Sequence, residues 1–212
     1  MLNSLSDPFT LLISIISFLF ALSIHEAAHA WSADRLGDPT ARLAGRLTLN
    51  PFAHLDAIGT LLLIFFGFGW GKPVPIDEFN LKSPRRDTAL ISLSGPLANL
   101  LVAILFSLIW WLTIVSGINS LVSDNLIQGL IQINIVLGIF NLLPLHPLDG
   151  GKILVGILPN ESAKLVDYFL KRYGVFLLIS AFLPIFSGRS LINIILLPIV
   201  NHVITLILFW LA

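Results

Sequence analysis

The run FTLLISIISFLFALSIHEAAHAW, residues 9–31, limits the possible folds more than any other part of the chain. Asp7 is placed to cap a helix and Pro8 to occupy its first position. The apolar residues that follow can then continue as one helix, long enough to cross a hydrocarbon core of about 30 Å. Yet this helix carries His25, Glu26 and His29. An HExxH pentapeptide on a helix projects both histidines from one face about one turn apart, where they can grip a single metal ion. Glu26 lies between them in sequence, close enough to take a proton from an activated water without being a ligand. Ionisable groups on a membrane helix are costly unless they serve a site. The run therefore implies a metal-assisted hydrolytic centre within a bilayer.

Composition agrees with the membrane half of that reading. Hydrophobic residues make up 56% of the 212-residue chain and charged residues 11%, with a mean hydropathy of +0.93. Soluble domains carry about 25% charged residues, so this chain cannot cover a water-facing surface in the ordinary way. A net charge of zero gives no electrostatic basis for binding nucleic acid. The absence of cysteine excludes disulfides, thiolate nucleophiles and Cys-based zinc sites. The first apolar run lacks a basic start and contains the HExxH residues, so it is not a removable signal peptide. The expected organisation is one membrane-embedded domain over residues 1–212, with a core at 8–160 and additional membrane segments at 173–211.

The expected fold is a polytopic α-helical membrane protein of about five to six membrane helices. Span one runs from Pro8 and ends near Asp34–Asp38, span two covers Thr88–Val115, and span three begins near Leu126. Weaker apolar segments follow at Tyr173–Ser187 and Ser190–Leu211. The apolar piece at 57–69 is too short for an ordinary span and reads as a re-entrant element between the first two main spans, either helix or strand. If it does not cross, every lysine and arginine of the chain except Arg189 falls on one side. The positive-inside rule makes that side cytoplasmic and puts the N-terminus outside. His25 then lies about 26 Å down span one, in the cytoplasmic half. Asp149 reaches a similar depth on span three.

A hydrolytic zinc site needs a third protein ligand and keeps a fourth position for water. Asp149 is the best candidate, with Glu161, Asp124 and Asp167 in expected loops behind it. It follows Pro144 and Pro147, which must break the helix, and irregular backbone at membrane depth is tolerated where it lines a cavity. An isolated Asp-Gly-Gly would read as a turn at the end of a span. An HExxH in the same leaflet favours the ligand.

Three motifs in order, HEAAH at 25–29, SGPLAN at 94–99 and NLLPLHPLDGG at 141–151, resemble those of the site-2 proteases, a family of intramembrane zinc metalloproteases. The intervening GDPTARLAGRLTLNP and GKPVP pieces are similar to its short bacterial and archaeal branch, without PDZ or nucleotide-sensing domains. The likeness covers residues 20–160 or thereabouts. It implies one Zn2+ per chain held by His25, His29 and Asp149, with Glu26 activating a zinc-bound water. Asn141 would bind substrate backbone or the oxyanion, whereas Asn99 would support the core. The implied substrate is a membrane-spanning protein, cleaved within or near its span in a prokaryotic plasma membrane, at a site near the cytoplasmic face. Residues 38–75 would match a re-entrant β element that pairs with an unwound substrate, with Gly67–Pro75 as its open edge or simply a glycine-rich turn. Oligomeric state is not legible in the sequence.

His146 departs from that pattern, three residues before Asp149, and reads as a bystander. His54 reads as an interfacial or hydrogen-bonded histidine, and His202 as a packing residue of the last segment. The rival function is a divalent-metal transporter or an inactive metal-binding scaffold. A transporter needs acidic or histidine residues on several spans, and spans two, four and five offer His202 alone. Pro73 stands where a phosphate loop needs Ser or Thr, and no Gly-x-Ser-x-Gly element occurs.

Overall fold

A computed structural model describes residues 7–56, 59, 71–118, 120–184, 188 and 190–209. Helix α1 spans Pro8–Leu36. The Asp7 carboxylate accepts from the amides of Phe9 and Thr10, and Gly37, at φ 111°, closes the helix in the left-handed conformation that glycine tolerates. A single-turn α2 (Thr40–Leu43) follows, then 3-10 turns at Pro51–Ala53 and Glu78–Asn80. The long helices are α3 (Pro84–Val115) and α4 (Leu121–Asn141), the latter opened by a Ser120–Ser123 capping box. Helix α5 (Asp149–Ile157), α6 (Asn160–Phe182) and α7 (Leu191–Ile207) complete the described chain.

Three of these helices are long and apolar enough to cross a membrane: α1, α3 and the Ser123–Asn141 part of α4. Helix α7 is apolar but shorter, at 17 residues. On α4, Ile127, Ile131, Ile135 and Ile139 recur every fourth residue and form one buried ridge. They pack with Ala103 of α3 and with Leu196, Val200 and Ile207 of α7. The opposite face of α3 presents Leu101, Leu105, Leu108 and Leu112 outward, Leu101 at 66% exposure. A monomer in water rarely exposes a stripe of this length, whereas lipid tails cover it without cost.

Asp38 ties the segment between α1 and α3 together. Its carboxylate accepts from the Thr40 amide and hydroxyl, the Asn80 side chain and the Asp77 amide, so residues 38–40 are fastened to 77–80. Burial works against its charge, but the hydrogen bonds from Thr40, Asn80 and Asp77 outweigh it and hold the carboxyl below the usual carboxylate range. A folded-state pKa below the unfolded one means this tie is intact at neutral pH and is lost as pH falls through that depressed value.

Several expectations change. Span two begins at Pro84 rather than Thr88, because Ser83-Pro84 starts the helix and Asp87 accepts from the Ser83 amide. Span three begins at Leu121 rather than near Leu126, its first turn held by the capping box. Tyr173 does not open a separate segment, since α6 already runs from Asn160. Glu161, Asp167 and Asp124 sit on helices, not in loops. His202 is exposed on α7 rather than packed.

The re-entrant piece at 57–69 lies outside the described residues apart from Gly59. Where the chain is described on either side, an antiparallel bridge pairs Leu55 with Gly71, and the Lys72 amide donates to the His54 carbonyl. Among the described residues no longer strand forms. A Cβ on Gly71 would fall 2.8 Å from a Leu22 methyl, so that glycine serves close packing on α1.

Candidate metal centre

The HEAAH turn sits two turns from the end of α1, with His25, Glu26 and His29 all buried. Pro144 and Pro147 interrupt the chain after α4, and α5 restarts with Asp149 in its first turn. That restart depends on glycine. A Cβ on Gly150 would lie 2.2 Å from the Leu143 carbonyl oxygen, and one on Gly151 would lie 2.8 Å from the His146 ring. Only bare backbone can fold so tightly there, and the result turns Asp149 towards α1.

Three donor atoms converge. His25 Nε2 lies 3.0 Å from Asp149 Oδ2 and 3.0 Å from His29 Nε2, and His29 Nε2 lies 3.1 Å from Asp149 Oδ2. The outer nitrogens reveal what the inner ones are. Asn99 donates through Nδ2 to the Ala21 carbonyl and to Asn134 Oδ1, so its Oδ1 is an acceptor. His25 Nδ1–H therefore donates to it, at 2.7 Å. His29 Nδ1–H likewise donates to the Ile91 carbonyl at 2.7 Å. With both protons outside, two neutral imidazoles and a carboxylate aim lone pairs at one point, an arrangement that repels itself unless a cation sits there.

The donor set fits zinc. Two imidazoles and one carboxylate are a common catalytic ligand set, and tetrahedral ligands roughly 2.0–2.1 Å from the ion lie about 3.3 Å apart. Among the described residues, His25, His29 and Asp149 are the one group of such side chains close enough to share an ion. Gly95 of α3 makes room for them. A Cβ there would lie 2.5 Å from His29 Cε1 and 2.8 Å from His25 Cε1.

Glu26 is buried beside the pair, within electrostatic reach of His29, and makes no hydrogen bond to any described residue. Asn141, by contrast, donates to the Leu137 carbonyl of its own helix and has no hydrogen bond to the three donors. His146 faces α6, with Nε2 3.4 Å from Asp167 Oδ1, and is a bystander to the centre. His54 is buried and bonds the Thr48 carbonyl, 2.8 Å away. Three contributors escaped the sequence reading: the Asn99 contact with His25, Asn134 behind it, and the space at Gly95. An asparagine in the middle of an apolar span was the available signal for Asn134, because buried amides need partners.

Asn99→Ala is expected to weaken zinc binding about 10- to 100-fold, the usual cost of a lost outer partner of a metal-bound histidine. Competition against a chromogenic chelator measures it. Unchanged affinity would show that Asn99 supports only the core.

A model of Peptidase family M50 matches residues 113–182, a stretch that contains Asn141 and Asp149. A Bacillus subtilis protein named "Putative zinc metalloprotease YwhC" is 39% identical over 171 residues, covering 78% of each chain. "Putative zinc metalloprotease Rip2" of Mycolicibacterium smegmatis is 30% identical over 153 residues, 64% of this chain and 53% of the relative. Its namesake in Mycobacterium tuberculosis strain H37Rv is 29% identical over 180 residues, 82% of this chain and 68% of the relative. No solved structure matches the chain.

Proposed function

The chain belongs to the M50 metalloproteases, the site-2 protease family, and from that premise we propose an intramembrane zinc endopeptidase that cuts membrane-spanning proteins within or near their spans. The observation that carries this reading is the convergence of His25, His29 and Asp149 at 3.0–3.1 Å inside a bundle of apolar helices. In this reading those three hold one zinc ion, which when bound supplies Lewis acidity for hydrolysis. Their hydrogen bonds to Asn99 and Ile91 keep the two imidazoles oriented before metal arrives. Glu26, which makes no hydrogen bond to any described residue, takes the proton of the attacking water and returns it to the leaving amine. Asn141 releases the Leu137 carbonyl and donates its amide to substrate backbone or to the developing oxyanion.

A substrate helix hides its carbonyls in its own hydrogen bonds, so it must unwind before it can be cut. An apolar cleft of about 300 Å3 between α1 and Leu49–Pro51 includes Ile24, the neighbour of His25, and would lead an unwound segment in. The Leu55–Gly71 bridge is consistent with a re-entrant element whose edge, near Lys72–Pro75, receives that segment. We place the apolar part of α6 from Tyr173 onward and helix α7 as further membrane segments, with the basic side cytoplasmic and the N-terminus outside in a prokaryotic plasma membrane. Transport is disfavoured because a second such ligand group, to which an ion could pass, is absent among the described residues.

Protein reconstituted with a membrane-spanning peptide that carries a helix-breaking pair is expected to cleave it. Chelator should abolish the cleavage and zinc restore it. Cleavage that survives complete metal removal would end the metalloprotease reading. Metal flux into vesicles without any cleavage would favour transport.

A further inference from the structure

Where α1 ends and α3 begins, a cavity of about 500 Å3 is lined by Arg35, Leu36, Lys82, Arg86, Asp87 and Leu90. Arg35, Lys82 and Arg86 are all exposed, and none pairs with a carboxylate among the described residues. The single acid, Asp87, is buried and already accepts from the Ser83 amide at 2.8 Å. Three free cations therefore face one open space against one committed carboxylate. The Arg35 guanidinium lies 5.1 Å from the centre of the Trp31 ring, and Trp31 is 53% exposed. An outward tryptophan at the end of a spanning helix, carrying an arginine, marks the level of lipid headgroups. One turn further into α3 than Arg86, the exposed Leu90 leads onto the outward apolar face of that helix at Leu97 and Leu101.

Basic residues at the helix ends with an exposed apolar face one turn deeper on α3 follow the order in which a phospholipid presents its own parts. We infer that the cavity binds an anionic phospholipid, with its phosphate among Arg35, Lys82 and Arg86 and an acyl chain along Leu90. The inference rests on the membrane reading above but not on the metal centre or on proteolysis. A lipid held there would bridge the ends of the helix that carries HEAAH and the helix that carries Asn99.

The test uses the full chain in phosphatidylcholine vesicles, with Trp31 as reporter isolated by difference from a Trp31→Phe variant. Brominated phosphatidylglycerol should quench Trp31 at a mole fraction about a hundredfold below brominated phosphatidylcholine, at roughly fivefold per cation. Lys82→Gln with Arg86→Gln should reduce that preference to about fivefold. The charge-preserving pair Lys82→Arg with Arg86→Lys should retain it, and millimolar inorganic phosphate should not relieve the quenching. Equal quenching by the two lipids, a preference unchanged in the glutamine pair, or loss in the charge-preserving pair would each overturn the proposal. Relief by inorganic phosphate would assign the cavity to free phosphate and overturn the lipid reading. Zinc content and peptide cleavage, measured in parallel, report separately on the function proposed above.

Discussion

Replacing Glu26 by glutamine is expected to leave zinc in place and to lower peptide cleavage by about two to four orders of magnitude. Glutamine keeps the size of the side chain, so α1 and the histidines flanking it in sequence need not move. What it removes is the proton acceptor. Glu26 is buried next to the donor cluster and hydrogen-bonded to no described residue, so its substitution should cost little stability. Most of the effect should therefore appear in turnover rather than in metal content or helix content. Robust cleavage by the Glu26→Gln protein would rule the residue out as base. Loss of zinc together with activity would place it in the ligand set instead.

The second large effect concerns the donors themselves. His29→Ala and Asp149→Ala should each weaken zinc binding by more than about a hundredfold, beyond what loss of an outer partner costs. Each removes one of three donor atoms that lie 3.0–3.1 Å apart. The Asp149→Ala change leaves Gly150 and Gly151 in place, so the tight turn into α5 should survive, and circular dichroism should show the helices intact. Elemental analysis of the purified variants reads the outcome directly. Full zinc in both would sink the assignment, and His54 or His146 would then be examined. Among the described residues neither has both a carboxylate and a second imidazole within reach, which is why that result is not expected.

Much of this protein was readable in its residues because the signals are local. Asp7 and Pro8 start α1, and its capping hydrogen bonds form within three residues, so sequence spacing alone determines them. Two histidines four apart on a helix must share a face whatever else the chain does. Pro144 and Pro147 forbid the helix that precedes Asp149, and the chain breaks there accordingly. Helix starts were less legible. Ser83-Pro84 and the Ser120–Ser123 box lie in polar residues outside the apolar runs, so hydropathy placed both boundaries several residues late.

The choice of Asp149 over Glu161, Asp167 and Asp124 was not local. It depends on how α5 docks. Gly156 allows α5 to lie against Ala89 of α3, and Gly150 lets the chain turn beneath the Leu142 and Leu143 carbonyls. Asp167 meanwhile faces His146 and Lys171 on the far side, and Asp124 receives the Trp110 indole. The same holds for Asn99, which meets His25 across 74 residues of chain. Periodicity tells which face of a helix is apolar. It does not tell at what height two helices cross, and a difference of one turn, about 5.4 Å, would part every pair in the centre. Sequence thus determined the helices and the two histidines, and tertiary packing decided their partners, because that height is set by small residues fitting against neighbours remote in the chain.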